Sequence, residues 1–474
     1  MRLLEQTARE AKKEKWLEDV AVLHINHCMD NTFSFNEVLR SLFGHVTLVT
    51  PPYNNQDIPD AYPGSCYHGI RQDGVYCLMK NRTKLGGGAT DFLDATLLLL
   101  EEAFRQELIP LLREGKKLLI MEDGGYHFEV LSHVKRLFPE VENRILGVVE
   151  QTTSGTRRSM NRQGYRYAYP CVSIARSDIK MNVESIFIGQ RITEELGLML
   201  YEADTFFSFH SVLLIGYGII GRSCRLALEG HFCRIAAYDT NPYVLQAAEK
   251  EGLYTYSGPS PEMFSEDTIV IGCVGSSSFG EEMFRAFLDG KGTNLYLASG
   301  SSKEVEFSWF LRYLVGKEAE ISGPSLEEQR TAQRHTCYRF RYNGIEKNVY
   351  IMAEGKPVNF YREGVISLTY RVIDLVFTEM LKMALYLCRN RDLPASCIFL
   401  GRIILSPVQS PKRSCLTGGF RKTAFGIREN WKHFCSPILW LQSSEESHGT
   451  KRMEKHERNY YCFSKERSMG AYAA

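Results

Sequence analysis

The sequence predicts an α/β protein with two doubly wound parallel-sheet domains joined by crossing helices. Short apolar runs typical of buried strands alternate with helical patterns through the first half of the 474-residue chain. The second half repeats this alternation around a glycine-rich turn. A long amphipathic pattern, ISLTYRVIDLVFTEMLKMALYL, then follows, and a helix of this length could cross back to the first domain.

The predicted elements of the two halves follow the same plan. The strands of the first half are VAVLHINH, HVTLVTPP, GVYCLM, KLLIMEDGG, ILGVVEQT and CVSIA. Those of the second half are SVLLIGYG, CRIAAYD, TIVIGCVG, NLYLASG and NVYIMAEG. The main helical patterns are NEVLRSLFG, ATLLLLEEAFRQELIPLLREG and IGQRITEELGLMLYEAD. Continuous apolar runs fit parallel strands, because crossover helices cover both faces of a parallel sheet.

Composition and charge exclude several classes of protein. The formal net charge is +1, with 44% hydrophobic and 24% charged residues, as in ordinary globular proteins. A chain-wide nucleic-acid or membrane role is therefore not indicated, and no apolar run is long enough to cross a bilayer. The N-terminal segment MRLLEQTAREAKKEKW lacks the apolar core of a signal peptide. The 13 cysteines form no CxxC pair, so we expect no metal site, no disulfide framework and a cytoplasmic location.

The glycine-rich turn has the features of a dinucleotide-binding site. The run SVLLIGYGIIGRSCRLALEGHFCRIAAYDTNPY, from Ser211, indicates a strand, a glycine turn, a helix, a second strand and an acid. In such a GxGxxG turn the helix N-terminus faces a pyrophosphate, and the acid accepts hydrogen bonds from the adenosine ribose. The acid would repel a 2′-phosphate, which favours NAD over NADP. The predicted NAD-binding residues here are Gly216, Gly218, Ile219, Ile220, Gly221, Asp239 and Asn241.

Six motifs occur in order along the chain. They are EDGG from Glu122, EQTTSGTRR from Glu150, SDIKMNVES from Ser177, GYGIIG from Gly216, YDTNP from Tyr238 and AEGKPVN from Ala353. Together they resemble the S-adenosyl-L-homocysteine hydrolase family, whose matching runs are DDGGD, EETTTG, SVTKSKFDN, GYGDVG, EIDP and AEGRLVN. The resemblance covers roughly residues 20 to 390. It implies a homo-oligomer with tightly held NAD, which oxidises the 3′-hydroxyl of a nucleoside thioether so that homocysteine can be eliminated before water adds and the ketone is reduced back.

The resemblance also implies roles for single residues. It places Asp123, Lys180, Glu184 and His24 at the catalytic site, and Thr152, Thr153, Ser154 and Asn359 beside the cofactor. From the residues alone, Asp123 fits a turn before two glycines equally well. A lone lysine such as Lys180 is more commonly solvated, and His24 could be a strand-end histidine bonded to the backbone.

Departures from the family pattern leave other functions open. Gln151 stands where the family has a second glutamate, and Glu184 where it has an aspartate. The family's GHFD segment is SSKE here, from Ser301. The HPSF loop that closes on the nucleoside is replaced by FYREGVISLTYR, which contains Arg362 and Glu363. A different NAD-dependent oxidoreductase, or a non-catalytic NAD-binding regulatory protein, therefore remains an alternative to a hydrolase.

Domain boundaries follow from these patterns. We predict an N-terminal helix over 1–19, a substrate-binding domain over 20–190, a Rossmann NAD-binding domain over 191–350, a return segment over 351–394 and a basic, loosely ordered tail over 395–474. The tail interleaves Arg, Lys, Tyr and Trp, as nucleic-acid-binding arms do, but its composition favours a solvated extension. The expected partner is a small molecule, either a nucleoside thioether or another hydroxylated metabolite.

Overall fold

Two open sheets with covering helices make up the part of the chain that the computed structural model describes. The described residues are 1–13, 17–27, 29–50, 75–77, 92–163, 167–301, 305–316, 324–332, 335–360, 368–399 and 402–404. All of them belong to one unit, Met1–Ser406. Parts of several predictions lie outside these residues, among them the tail from 405 onward, positions 302–304 of SSKE, and positions 361–367 of FYREGVISLTYR, which include Arg362 and Glu363.

The elements are numbered in chain order. The strands are β1 Val20–Ile25, β2 His45–Thr50, β3 Val75–Cys77, β4 Lys117–Glu122, β5 Ile145–Glu150, β6 Cys171–Ser173, β7 Ser211–Ile215, β8 Arg234–Tyr238, β9 Tyr254–Tyr256, β10 Thr268–Gly272, β11 Asn294–Ser299, β12 Ser325–Ala332, β13 His335–Tyr342, β14 Ile345–Ile351, β15 Cys397–Phe399 and β16 Arg402–Ile404. The α-helices are α1 Arg2–Ala11, α2 Asp30–Leu42, α3 Phe92–Ala103, α4 Ile109–Arg113, α5 His127–Leu137, α6 Val141–Arg144, α7 Thr153–Gln163, α8 Ser185–Glu202, α9 Ile219–Leu228, α10 Pro242–Lys250, α11 Glu281–Asp289, α12 Ser308–Leu314 and α13 Tyr370–Arg389. Two π-helical turns, Phe104–Leu108 and Lys180–Glu184, lie between α3 and α4 and before α8.

The first sheet has the order β3-β2-β1-β4-β5-β6-β15-β16, and its strands are parallel except for the β15–β16 pair. The order reverses between β1 and β4, which creates a crevice at the carboxyl ends of these strands. Ile25 pairs with Glu122, and Glu122 pairs with Glu150. Strands β1, β4 and β5 therefore end at the same level, and the residues that follow them meet at one edge.

The second sheet repeats this topology with a hairpin added at one side. Strands β9-β8-β7-β10-β11-β14 are parallel, in the order 3-2-1-4-5-6 that dinucleotide-binding sheets use. Antiparallel strands β13 and β12 extend it beyond β14. The reversal lies between β7 and β10, so the glycine fingerprint that follows β7 lies at the ligand-binding crevice of this sheet.

Helices cover both faces of the second sheet. Val212 and Leu214 of β7 belong to a core cluster with Leu196 of α8 and Cys224 of α9. Leu213 and Ile215 of the same strand belong to another cluster, with phenylalanines of α11 and α12. Successive residues of a strand face opposite sides, so β7 is buried on both. This explains why the strands of this domain were predicted from continuous apolar runs.

Two long helices connect the halves of the chain. Helix α8 follows the first domain and packs against α9 of the second. Helix α13 follows the second sheet and returns to β4 and β5 of the first. The carboxylate of Asp374, on α13, accepts hydrogen bonds from the backbone N–H groups of Leu3, at 3.0 Å, and Leu4, at 2.9 Å, so it also fixes α1. The predicted α/β class, with two parallel-sheet domains and crossing helices, is confirmed.

Some elements of the sheets were not predicted. They are β9, the β12–β13 hairpin, and β15 and β16. The last two lie within the range predicted as a loosely ordered tail, so the first sheet continues to Ile404. Among the described residues, no helix has the length and apolar character required to cross a membrane.

The crossing of α8 and α9 gives a first testable prediction. A Cβ at Gly189 of α8 would overlap the backbone of Ser223 and lie 2.7 Å from the backbone nitrogen of Cys224. Gly189→Ala should therefore lower the free energy of unfolding by about 2–3 kcal/mol, because neither helix backbone can move aside locally.

Gly197 provides the matched control in the same helix. A Cβ there would be 3.4 Å from the Phe207 ring. Gly197→Ala should be neutral or stabilising by about 0.5–1 kcal/mol through helix propensity. Urea unfolding followed by circular dichroism compares the two, and equal stability changes would contradict the close packing of α8 on α9.

Candidate functional site

The three glycines of the fingerprint each meet a different steric requirement. Gly216 follows β7 with a φ of 89°, in the left-handed region that other residues rarely adopt. Gly221 lies in the first turn of α9, where a Cβ would overlap the carbonyl oxygen of Gly216. Gly218 faces open space, with no atom within 4 Å of where a Cβ would be. A phosphate could thus approach the backbone at Gly218 and the first N–H groups of α9, at Ile219 and Ile220.

Asp239 and Asn241 hold the turn that follows β8. The Asp239 carboxylate accepts hydrogen bonds from the backbone N–H groups of Tyr217, at 2.9 Å, and Asn241, at 2.8 Å. Asp239 therefore ties this turn to the glycine fingerprint, and each oxygen keeps a second lone pair for a ribose hydroxyl. The Asn241 side chain caps α10 by accepting from the Tyr243 N–H at 3.0 Å.

Polar side chains meet at the carboxyl edge of the first sheet. His27 Nε2 lies 3.3 Å from Asp123 Oδ2, beside the switch point between β1 and β4. Asn26 donates a hydrogen bond to Gln151 Oε1 at 3.2 Å. Ligands of doubly wound sheets bind at this edge. His27 was not among the predicted site residues, although its position two residues beyond the end of β1 is a signal for it.

A buried acid pair lies behind that edge. Glu122 and Glu150 are at most 2% exposed, and their carboxyl groups interact with each other electrostatically. The Nδ1 of His127 is hydrogen-bonded to Glu122, and Glu150 accepts from the N–H groups of Gly124, at 3.2 Å, and Thr152, at 2.7 Å. Burial raises the pKa of both carboxyl groups and lowers the pKa of His127 to about 3, so the imidazole is neutral. The two acids therefore keep a proton at neutral pH.

The hydroxyl groups of EQTTSGTRR are engaged at the start of α7. Thr152 Oγ1 donates to Glu150 Oε1 at 2.7 Å and accepts from the Gly155 N–H at 3.1 Å. Thr153 is the first residue of α7, and Ser154 Oγ is 3.3 Å from Thr152 Oγ1. These predicted cofactor residues thus lie on the first domain, next to the buried acid pair.

Lys180 and Glu184 form an ion pair in the π-helical turn that precedes α8. Lys180 Nζ contacts Glu184 Oε2, and the two side chains are 12% and 5% exposed. Ser177 accepts from the Lys180 N–H at 3.2 Å and donates to Glu379 Oε2 at 2.6 Å. Glu379 comes from α13, 202 positions further along the chain. The structure therefore adds a second, distant acid to the predicted pair.

His24 lies on β1 and contacts α2. Its Nδ1 is 3.5 Å from Asn36 Oδ1, and its ring meets Phe35 edge-on at 5.1 Å. Burial lowers the pKa of His24 to about 4, so it is neutral at pH 7. Three residues further along the chain, His27 is the histidine that lies against the predicted catalytic acid Asp123.

The segment after β14 joins the edges of the two sheets. Ala353, Glu354 and Gly355 are consecutive left-handed residues, with φ of 52°, 56° and 79°. Pro357 then pairs with Ser299 at the end of β11, and Asn359 is buried. The next ring, that of Phe360, lies 6.2 Å from the ring of His27. Asn359 therefore lies close to where the second domain meets the polar edge of the first.

These features define a two-domain α/β protein whose second domain is of the Rossmann type. No family model matches the chain. Two uncharacterized proteins of Mycobacterium tuberculosis, from strains CDC 1551 and H37Rv, are each 24% identical to it over 302 residues. The match covers 63% of this chain and 53% of each relative, so the chain spans about half the length of the curated relatives it matches.

Solved structures are similar only in broad outline. A dipicolinate synthase chain from Bacillus subtilis is 11% identical, with 78% of this chain and 98% of that chain covered and a TM-score of 0.34. A 2-hydroxyacid dehydrogenase from Ketogulonicigenium vulgare Y25 is 10% identical, with 81% and 98% covered and a TM-score of 0.36. Superpositions this loose do not bear on function. None of these proteins is named as an S-adenosylhomocysteine hydrolase, and the motif resemblance stays a prediction.

The buried acid on α13 gives a prediction about pH. Burial raises the pKa of Glu379 from 4.5 to about 7. Its neutral form contributes stability that is complete below the unfolded value and is lost as the pH rises through the folded value. Glu379→Gln cannot ionise and keeps an acceptor for Ser177. Between about pH 5 and about pH 8, its free energy of unfolding should rise relative to the parent by about 2 kcal/mol.

Urea unfolding at the two pH values measures this difference. Glu114→Gln, which removes an exposed acid, is the control and should follow the parent at both. If Glu379→Gln also follows the parent at both pH values, the carboxyl group of Glu379 is already ionised in the folded protein.

Proposed function

We propose that the protein binds NAD at the carboxyl edge of its second sheet and oxidises a hydroxyl group of a small molecule held at the carboxyl edge of the first. The observation that carries this proposal is the geometry of the fingerprint. Gly221 can only be glycine, and Gly218 leaves its backbone open at the start of a helix. Such a turn, at the switch point of a 3-2-1-4-5-6 sheet, suits a pyrophosphate. Bound NAD would supply the hydride acceptor.

Charge near the ribose supports NAD rather than NADP. Asp239 is bonded through backbone N–H groups and remains able to accept from the two ribose hydroxyls. A 2′-phosphate would meet this carboxylate. Arg222 lies nearby on α9, but it pairs with Glu251 at 3.0 Å. A basic partner for the phosphate would therefore have to be taken from an existing ion pair.

The substrate side offers two acid–base groups. The His27–Asp123 pair at 3.3 Å places an imidazole, a proton acceptor, next to a carboxylate. In the Lys180–Glu184 ion pair the lysine carries a proton, and it becomes an acceptor once that proton is given up. Oxidation of an alcohol by NAD releases a proton, which such a pair can accept. The Phe360 ring lies 6.2 Å from the His27 ring, so the segment after β14 reaches the polar edge of the first sheet. This contact supports a base of the first domain acting near a cofactor bound to the second.

The finer form of the proposal is S-adenosylhomocysteine hydrolysis by transient 3′-oxidation. It is supported by the order of the six motifs and by the mostly buried Lys180–Glu184 pair. One contact favours a different hydroxylated substrate. Gln151 replaces a family glutamate, and its amide oxygen is already bonded to Asn26. An amide cannot accept from a ribose hydroxyl as strongly as a carboxylate does.

The cofactor assignment is tested at Asp239. Asp239→Ala should weaken NAD binding by about tenfold, since it removes a charge-assisted hydrogen bond. The ratio of NADP to NAD dissociation constants should also narrow, because the repulsive carboxylate is gone. Isothermal titration calorimetry measures both. Asp289→Ala, at the far end of α11, is the control, and equal affinity of the parent for both cofactors would refute the assignment.

The catalytic part is tested at Lys180. The parent, mixed with NAD and either adenosine or S-adenosylhomocysteine, should show the absorbance of reduced nicotinamide. Lys180→Ala should slow this reduction by about 100-fold or more and leave NAD bound. Lys135→Ala, on the far end of α5, should behave like the parent. If no nucleoside reduces NAD bound to the parent, the nucleoside chemistry is refuted while NAD binding stands.

A further inference from the structure

The loop that follows β10 lies against the glycine fingerprint. Cys273 N–H donates to the carbonyl of Ile215 at 2.7 Å, which continues the pairing of β10 with β7. A Cβ at Gly216 would lie 3.0 Å from the carbonyl oxygen of Cys273 and 2.9 Å from Cγ2 of Val274. Val274 is nonetheless 38% exposed. Its side chain therefore lies beside Gly216, at the switch point, with part of its surface open.

A buried carboxylate fixes the conformation of this loop. Glu306 is 0% exposed, and its Oε1 accepts from the N–H groups of Val274, at 2.8 Å, and Gly275, at 2.6 Å. Ser301 Oγ donates to the same oxygen and also accepts from the Gly275 N–H at 3.1 Å. With Gly275 at a φ of 77°, the two consecutive N–H groups converge on one anion.

The side chain of Glu306 has little room to move. A Cβ at Gly272 would lie 2.7 Å from its second oxygen, Oε2. Its backbone carbonyl also accepts from the N–H of Ser278 at 2.8 Å. Ser301 begins the SSKE stretch, so a serine and a carboxylate hold this loop at the point where the sequence departs from the resembling family.

We propose that Glu306 is a positioning residue for the cofactor: through the Val274 and Gly275 N–H groups it holds Val274 as an apolar wall of the crevice, beside Gly216 of the fingerprint. This inference rests on the proposed NAD site. Without the carboxylate, two N–H groups inside the protein lose their shared acceptor, and the loop relaxes away from the fingerprint. The wall is then no longer preformed, and binding has to order it.

The experiment measures NAD affinity by calorimetry together with the thermal midpoint. Glu306→Gln should weaken NAD binding by about tenfold, because a neutral amide replaces a charged acceptor of three donors. Val274→Ala changes an exposed side chain, so it should fold normally and weaken binding by about three- to tenfold through lost apolar contact. Glu129→Gln replaces a buried acid of the first domain and should bind NAD like the parent.

The outcomes separate this inference from the proposed function. If the parent binds NAD and both Glu306→Gln and Val274→Ala bind it equally well, the inference is overturned. A lower thermal midpoint of Glu306→Gln with unchanged affinity also overturns it, since Glu306 would then be structural only. If the parent itself does not bind NAD, the proposed function fails first.

Discussion

The structure depends on hydrogen-bond acceptors for the backbone N–H groups of the loop that lies at the switch point of each sheet. In each domain, the fourth strand of the 3-2-1-4-5-6 order is followed by a tight loop with a left-handed glycine, Gly124 in the first and Gly275 in the second. Such N–H groups are costly inside a protein without an acceptor. Both loops donate to a buried carboxylate that follows in the chain: Glu150 is the last residue of the fifth strand of the first sheet, and Glu306 lies beyond the fifth strand of the second. In both halves of the chain, a buried carboxylate thus accepts hydrogen bonds from the N–H groups of the loop after the fourth strand.

The two carboxylates differ in their surroundings. Glu150 lies against a second acid, Glu122, and the neighbouring His127 is neutral. The Glu122–Glu150 pair therefore binds a proton, and Glu150 also fixes the loop. Both lie directly behind the His27–Asp123 pair. Glu306 receives a serine hydroxyl as its third donor. The first domain accordingly has acid–base groups at its switch point, whereas the second has an apolar side chain and open backbone. This division suits a substrate in one domain and a cofactor in the other.

Local sequence patterns predicted those elements of the fold whose pattern lies within the element itself. Buried parallel strands such as β7 are continuous apolar runs, and the glycine spacing depends on contacts within one turn of backbone. The β12–β13 hairpin was missed because SLEEQRTA is charged and has no apolar face of its own. Strands β9 and β15 are only three residues long, and β15 follows a polar segment.

The candidate site likewise includes contacts that local sequence patterns could not predict. Asp123 and Lys180 were found through motifs, but His27, which pairs with Asp123, and Glu379, which is bonded to Ser177 beside Lys180, are distant in sequence. The bond between Ser177 and Glu379 spans 202 positions, and periodicity cannot bring such residues together. His27 lies within a quoted strand pattern, yet only the register of β1 on β4 shows that it, and not His24, meets Asp123. No motif indicated Glu306, because its role depends on Gly275, which lies 31 positions earlier in the chain.

The three left-handed residues after β14 have an energetic consequence for binding. Ala353 and Glu354 carry a Cβ, and each left-handed residue of this kind raises the free energy of the folded chain by about 1–2 kcal/mol. That is a noticeable fraction of the roughly 5–15 kcal/mol by which domains are stable. The neighbouring packing must therefore specify this turn completely. Asn359 and Phe360 are consequently preorganised: the entropy of ordering them is lost during folding, and a ligand at the junction of the two sheets does not lose it again on binding.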